Sequence, residues 1–162
     1  MSSLSDRLGS LIGADRVSLS PPDLVTHSKD KWFAAHPPEV VVFPENREEV
    51  SAVLAFANEE KIPVTPQGAQ VGYVGGCVPL SGGIALSLKR MNRITELNVE
   101  DGVAVVEPGL ITGELQSAVR EKGWFYPPDP ASLKECSLGG NIATNAGGPR
   151  CLVDVKRQCH EG

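Results

Sequence analysis

Glu39-Val40-Val41-Val42-Phe43, closed by Pro44 and followed by Asn46-Arg47-Glu48-Glu49, decides the fold. The β-branched, apolar run predicts a short buried strand, and proline ends it because it brings no N–H to a ladder. Asn46 is a helix N-cap, with Glu49 three residues on as its capping-box partner. Val50, Val53, Leu54 and Ala57 recur at helical spacing, so residues 47–60 read as a helix. Ile62-Pro63-Val64-Thr65 returns to extended chain. Strand, helix and strand in that order imply an α/β layer with a parallel pair.

Upstream, residues 3–13 place Leu4, Leu8, Leu11 and Ile12 on one side of a short helix. Residues 14–38 carry Pro21-Pro22 and Pro37-Pro38 and read as an irregular lead-in with room for one helical turn. Downstream, Ile84-Ala85-Leu86-Ser87-Leu88, residues 94–99 and residues 103–106 read as strands. The last two are joined by the turn signal Glu100-Asp101-Gly102. Thr112 is read as the cap of a further helix, with Leu115, Ala118 and Val119 on one face and Gly123 as its stop. Trp124-Phe125-Tyr126 reads as a short aromatic strand.

The chain has 162 residues, 41% hydrophobic and 22% charged, which suits one soluble domain or part of a larger one. Its formal net charge of -5, with no basic cluster, argues against nucleic acid and anionic membrane as partners. No apolar run is long enough to cross a bilayer, and the start lacks a signal-peptide pattern, so the expected compartment is the cytoplasm. Cys77, Cys136, Cys151 and Cys159 form no CxxC pair and read as reduced thiols. Cys151, Cys159 and His160 lie close together but lack the spacing and fourth ligand of a zinc site, so no metal is expected.

Glycine and proline concentrate in residues 63–83 and 127–149. The first loop reads Pro66-Gln67-Gly68-Ala69-Gln70-Val71-Gly72-Tyr73-Val74-Gly75-Gly76. Successive backbone N–H groups in such a stretch form a concave anion nest, and glycine lets a phosphate come close. It matches neither the Rossmann fingerprint nor a P-loop. Chemistry alone leaves a plain glycine-rich turn equally open. The second loop runs Pro127-Pro128-Asp129-Pro130-Ala131-Ser132, then Cys136-Ser137-Leu138-Gly139-Gly140-Asn141-Ile142-Ala143-Thr144-Asn145-Ala146-Gly147-Gly148-Pro149. Its small residues and short polar arms suit a cofactor cradle, or an ordered loop held by its own side chains.

Together the loops resemble the FAD-binding domain of the vanillyl-alcohol-oxidase superfamily, the PCMH type. Within it the resemblance is to FAD-linked oxidases that include glycolate oxidase D subunits and D-lactate dehydrogenases. Pro63-Val64-Thr65-Pro66, Arg90-Met91-Asn92-Arg93-Ile94 and Val106-Glu107-Pro108-Gly109 carry it alongside the two loops. It spans residues 36–151, leaving 1–35 as a lead-in and 152–162 as a tail outside the family. The implied fold is α+β: a PCMH-type domain of two small α/β subdomains, with FAD between them. The second is a mixed sheet starting near residue 84 and incomplete at the C-terminus.

The resemblance implies non-covalent FAD, since His27, His36 and His160 all lie outside the first loop. Gln67, Gly68, Ala69, Gln70, Val71, Gly72, Gly75 and Gly76 would wrap its pyrophosphate. Pro108, Pro128, Asp129, Ser132, Cys136, Ser137, Gly139, Gly140, Asn141 and Thr144 would line the rest. The implied reaction is oxidation of a small 2-hydroxy acid of the glycolate or D-lactate type, in some relatives with partner subunits. The catalytic residues remain unassigned, because in relatives they lie mostly beyond this stretch. The alternative is a non-catalytic cofactor-binding remnant without turnover. Three positions depart from the family pattern. Gln67 replaces a common arginine, Gln70 a usual glycine and Val71 a usual threonine or serine. They predict weakened FAD binding, which Gln70→Gly with Val71→Thr would restore.

Single residues read as follows. Trp32 and Trp124 suit core or edge packing rather than flavin stacking. Tyr73 reads equally as a cofactor contact and as half-buried packing. Glu107 reads as a strand-end surface charge, Asp129 as a turn former and Cys136 as a small apolar filler.

Overall fold

Val40, Val41 and Val42 form the expected strand, and all three are buried. The computed structural model describes residues 2–149. The chain folds into two compact units that divide after Met91.

In the first unit, β1 (Val17–Ser18), β2 (Val40–Val42), β3 (Val64–Gln67) and β4 (Ile84–Ser87) form one sheet in the order β1-β2-β4-β3. Strands β2 and β3 both run parallel to β4, with Val40 and Val64 on either side of Ile84. The expected parallel layer is present, but β4 lies between its two strands. This corrects the assignment of residue 84 to the second subdomain. Ile84-Ala85-Leu86 is a continuous buried run, as a central parallel strand requires. Pro66 sits on the edge strand β3, where its missing N–H is tolerated.

Alternation divides the sheet's two faces. Val40, Val42, Ile84 and Leu86 pack against Leu8 and Ile12 of α1 (Leu4–Ile12) and against Val53 and Ala57 of α3 (Arg47–Glu60). Burial of each larger aliphatic side chain contributes about 1.5–3 kcal/mol. On the other face Val41, Phe43 and Ala85 meet Leu24 of α2 (Pro21–Thr26). Helix α3 starts as predicted: Asn46 Oδ1 accepts from the Glu49 N–H at 2.9 Å. The Glu49 carboxylate reaches back to the Glu45 N–H at 2.8 Å, one residue before the cap.

The stretch 14–38 is more structured than its prolines suggested. Pro21 and Pro22 begin α2, where a missing N–H costs nothing, and Val17–Ser18 adds an antiparallel strand to β2.

In the second unit, β5 (Ile94–Asn98) and β6 (Val103–Val106) form a two-stranded antiparallel ribbon, not a mixed sheet. Gly102 takes φ +66° at its turn, and the Asn98 and Asp101 side chains close it. Helix α4 (Thr112–Glu121) packs Leu115 and Val119 onto the ribbon with Leu110 and Leu138. Thr112 is the first helical residue, not the cap. No side chain caps α4; the Thr112 and Gly113 amides donate to the carbonyls of Cys136 and Leu133. Residues 124–126 form no strand. The Trp124 N–H finishes α4 on Val119 O, and Pro127 and Pro128 have no N–H to extend a ladder.

Candidate cofactor site

In the first unit the glycine-rich loop leaves β3 and lies along residues 26–31. Side-chain amides make much of this attachment. Gln67 Nε2 donates to His27 O at 2.8 Å and to Cys77 O at 2.7 Å. Gln70 Nε2 donates to Thr26 O and Lys29 O. The Lys31 N–H reaches Gly72 O at 3.0 Å, and the Gly75 N–H reaches Asp30 Oδ2 at 2.8 Å. Gln70 takes φ +57°, the left-handed conformation its replacement of glycine raised.

Among the described residues, the backbone N–H groups of Ala69, Val71, Gly72 and Gly76 donate to nothing. A Cβ at Gly72, Gly75 or Gly76 would meet no atom within 4 Å. At Gly72 and Gly76 glycine is thus not demanded by the protein's own packing, whereas the positive φ of Gly75 requires it. The loop presents open amides and a bare backbone, a donor set that fits a phosphate group.

The second predicted loop differs. Residues 138–143 form a helix, α5 (Leu138–Ala143), which the adjacent glycines hid. Ser137 caps it, its Oγ accepting from the Gly140 N–H. The Leu138 and Gly139 amides donate to Leu110 O and Pro108 O. The start of α5 is therefore filled by the protein itself. Gly139 is needed for this approach, since a Cβ there would lie 2.7 Å from Pro108 Cβ. Gly148, at φ +82°, would place a Cβ 2.0 Å from Asp129 O.

The polar arms of this segment mostly turn inward. Asn141, buried, donates from Nδ2 to Thr112 Oγ1 at 2.6 Å and to Cys136 Sγ at 3.4 Å. Cys136 is buried as expected, and its thiol also bonds Thr112 Oγ1. Pro128 O accepts from Gln116 Nε2 at 2.6 Å, and Thr144 Oγ1 donates to Gly140 O within its own helix. Asp129 makes its backbone bond to Gly147 O, and Ser132 O ends the turn before Cys136. The structure thus gathers Gln67, Gly68, Ala69, Gln70, Val71, Gly72, Gly75 and Gly76 in one loop of the first unit. Pro108, Pro128, Asp129, Ser132, Cys136, Ser137, Gly139, Gly140, Asn141 and Thr144 lie in the second.

Single residues fall as follows. Tyr73 is 58% exposed, so a little under half of it is covered. Trp32 is half exposed and lies against Phe33, at an edge rather than in the core. Trp124 packs over Gly102 beside an open cleft of about 490 Å³. Glu107 is no free surface charge: its carboxylate accepts from Arg93 Nη2 at 2.7 Å and from the Arg93 N–H at 2.8 Å. The Arg93 partnership holds the Glu107 carboxyl below its usual range. The Cys151, Cys159 and His160 group lies outside the described residues.

Sequence reasoning missed Asp30 and His27. His27 is buried; Nδ1–H donates to Asp23 O at 2.9 Å, and Nε2 accepts from the Ser87 hydroxyl at 3.2 Å. Burial pushes its pKa below the ordinary histidine value, and nearby Lys89 adds to this. The thiol of half-buried Cys77 is pushed up from its ordinary pKa by burial and by the Asp30 charge, which favours its protonated form. The pattern His27-Ser28-Lys29-Asp30 lay inside the stretch read as lead-in, where only burial marks its importance.

Comparison with known proteins gives this geometry its context. A family model described as "FAD binding domain" matches residues 38–161, running across the stretch read as a tail outside the family. The chain is 44% identical over 115 residues to the glycolate oxidase subunit GlcD of Bacillus subtilis, covering 71% of this chain and 24% of that protein. It is 42% identical over 127 residues to a D-lactate dehydrogenase of Anaerostipes hadrus, covering 78% and 26%. A D-2-hydroxyglutarate dehydrogenase of Stutzerimonas stutzeri is 38% identical over 151 residues, covering 92% and 32%. The chain thus spans about a quarter to a third of these relatives. Among solved structures, 4-ethylphenol oxidase from Gulosibacter chungangensis aligns with a TM-score of 0.73 at 30% identity, over 85% of this chain and 28% of that one. An alkyldihydroxyacetonephosphate synthase shares the fold, with a TM-score of 0.81 at 22% identity, over 88% of this chain and 31% of that one. With a family match across most of its length, this chain belongs to the FAD-binding domain family, and FAD is its cofactor.

Proposed function

We propose that this chain is the FAD-holding part of a flavin-dependent dehydrogenase or oxidase for a small 2-hydroxy acid, of the glycolate or D-lactate type. The observation that carries the reading is the row of unpartnered amides at Ala69, Val71, Gly72 and Gly76, over glycines that face open space. These amides receive the FAD pyrophosphate. In the second unit, Pro108, Pro128, Asp129, Ser132 and the first turn of α5 at Gly139 and Gly140 are the candidates for contact with the remaining parts of the cofactor. Cys136, Ser137 and Asn141 are buried with their polar atoms already bonded and would support these residues from within, whereas Thr144 is exposed, its hydroxyl donating to Gly140 O. FAD held by these residues would supply the hydride-accepting chemistry for oxidation of the carbon that carries the substrate hydroxyl. The binding is non-covalent.

The substrate class rests on the relatives, whose names are those of a glycolate oxidase subunit and of D-lactate and D-2-hydroxyglutarate dehydrogenases. Association with partner subunits and a cytoplasmic setting belong to the same reading. The two described cysteines, Cys77 and Cys136, are free thiols, as a reducing compartment favours. Among the described residues, no helix is long and apolar enough to cross a membrane.

A second reading, cofactor binding without turnover by this chain alone, is supported by its span of only a quarter to a third of the relatives. One experiment separates the two. The purified chain is titrated with FAD, then mixed with D-lactate or glycolate and a dye acceptor. FAD binding with dye reduction supports the enzyme, and FAD binding without it supports the second reading. Failure to bind FAD rejects both.

A further inference from the structure

The first unit contains a device at the base of the glycine-rich loop. Asp30 is 7% exposed, and both of its carboxylate oxygens accept backbone amides. Oδ1 takes the Trp32 N–H at 2.7 Å, which shapes its own segment. Oδ2 takes the Gly75 N–H at 2.8 Å, which reaches 45 residues along the chain into the loop. The next residue, Lys31, donates its N–H to Gly72 O at 3.0 Å. Two adjacent residues thus clamp the loop at Gly72 and Gly75, on either side of the exposed Tyr73-Val74 tip. Gly75 itself holds φ +75°.

This clamp concerns backbone that no apolar core restrains. A charge-assisted bond to an amide is about twice as strong as a neutral one, so Asp30 is the firmest tie in the group. It takes the Gly75 amide and leaves its neighbour, Gly76, and the preceding Gly72 free to donate.

We propose that Asp30 is a positioning residue for FAD: by holding Gly75, it fixes residues 72–76 in the shape whose open amides receive the pyrophosphate. This rests on the assignment of the loop as the pyrophosphate site. A contrary physical effect exists, because a carboxylate beside a phosphate repels it. The two effects predict opposite signs for the same variant. If preorganisation wins, removing the charge weakens FAD; if repulsion wins, removing it tightens FAD.

The test uses the full chain and four proteins. Gly76→Asp tests the site itself, by putting a negative charge where a Cβ meets nothing. It should abolish binding of FAD and of ADP. Asp30→Asn should weaken FAD and ADP alike by about tenfold or more, the scale expected when ordering of several loop residues is no longer paid in advance. Asp30→Glu keeps the charge but displaces it by one methylene, and it should weaken both ligands too. Hydrogen exchange read by peptide should accelerate at residues 72–76 in both Asp30 variants. Exchange at Val40–Val42 and Ile84–Ser87 should stay as in the wild type, which separates loop positioning from general loss of fold. If Gly76→Asp binds FAD normally, the site assignment fails and the inference with it. If Gly76→Asp abolishes binding while either folded Asp30 variant keeps wild-type affinity, or Asp30→Asn binds tighter, the site stands and the positioning role is overturned.

Discussion

Gly148 and Gly76 lie in the two glycine-rich segments, and the structure gives them opposite duties. At Gly148 the φ of +82° and the 2.0 Å approach to Asp129 O make a side chain inadmissible, whatever binds nearby. Gly148→Ala should destabilise the protein by about 2–5 kcal/mol, combining left-handed strain with overpacking. Gly76→Ala meets open space and should leave stability within about 0.5 kcal/mol while weakening FAD binding. Urea unfolding beside a flavin titration reads both, and similar stability losses would refute the distinction. Gln70 is subtler. Its φ of +57° costs about 1–2 kcal/mol, yet its side chain donates two hydrogen bonds, each of about 0.5–1.5 kcal/mol net. These nearly cancel, so Gln70→Gly alone should change stability by less than about 1 kcal/mol. Val71→Thr, which adds a hydroxyl beside an open amide, should tighten FAD more than Gln70→Gly does; the reverse order of affinities rejects this account. His27 supplies a pH dependence. Its pKa is lowered in the fold from the ordinary 6.5, so the unfolded chain takes up the proton first. The stability this neutral imidazole confers is complete above pH 6.5 and drains as pH falls from there through the folded pKa. The urea midpoint should therefore drop between about pH 7.5 and 5.5, above the carboxylate range; a flat midpoint across that window contradicts the assignment.

Helix α3 shows how an element becomes readable. Its start, stop and inward face are written locally, in Asn46, in the Val50–Val53–Ala57 spacing and in the chain's return to β3. Asn46→Ala should cost about 0.5–2 kcal/mol, since the Glu49 N–H loses its acceptor; Asn46→Ser should recover most of it, and a neutral alanine in thermal unfolding would count against the cap. Helices α4 and α5 were harder for the same physical reason reversed. The first amides of α4 are satisfied by the distant carbonyls of Cys136 and Leu133, which no local pattern announces, so the sequence points to Thr112 as a cap that the helix does not use. In α5 the Gly139-Gly140 pair lowers helix propensity, and tertiary packing under Pro108 overrides it. The extended character of β4 is local and legible, whereas its place between β2 and β3 is not, because pairing order is a nonlocal property. The glycine-rich loop is legible by composition as a loop, with a phosphate nest and a plain turn equally open, whereas its hold on residues 26–31 depends on side chains 41 and 44 positions apart, as for Gln70.

At the scale of the whole molecule, the two units differ in how completely they cover their apolar surface. The first buries its central strands on both faces, with β1 and the proline-bearing β3 at its edges. The second exposes Val103 and Val105 on a two-stranded ribbon, along with Trp124, Phe125 and Ile142. Among the described residues no third strand joins this ribbon, and unpaired N–H and C=O groups beside apolar side chains recruit further strands. Net charge of -5 opposes close approach of copies, but its effect is screened over about 8 Å at physiological salt, so it cannot protect an edge at contact distance. The chain should therefore self-associate with rising concentration, and more strongly as salt is added. Val105, 47% exposed, is the residue to change, because a lysine there places a charge in the path of an incoming strand without opening the core. Val105→Lys should hold the protein monomeric in light scattering at concentrations where the parent associates. Persistent association of this variant would place the sticky surface elsewhere, most directly at the exposed Trp32, Phe33, Tyr73 and Val74 of the first unit.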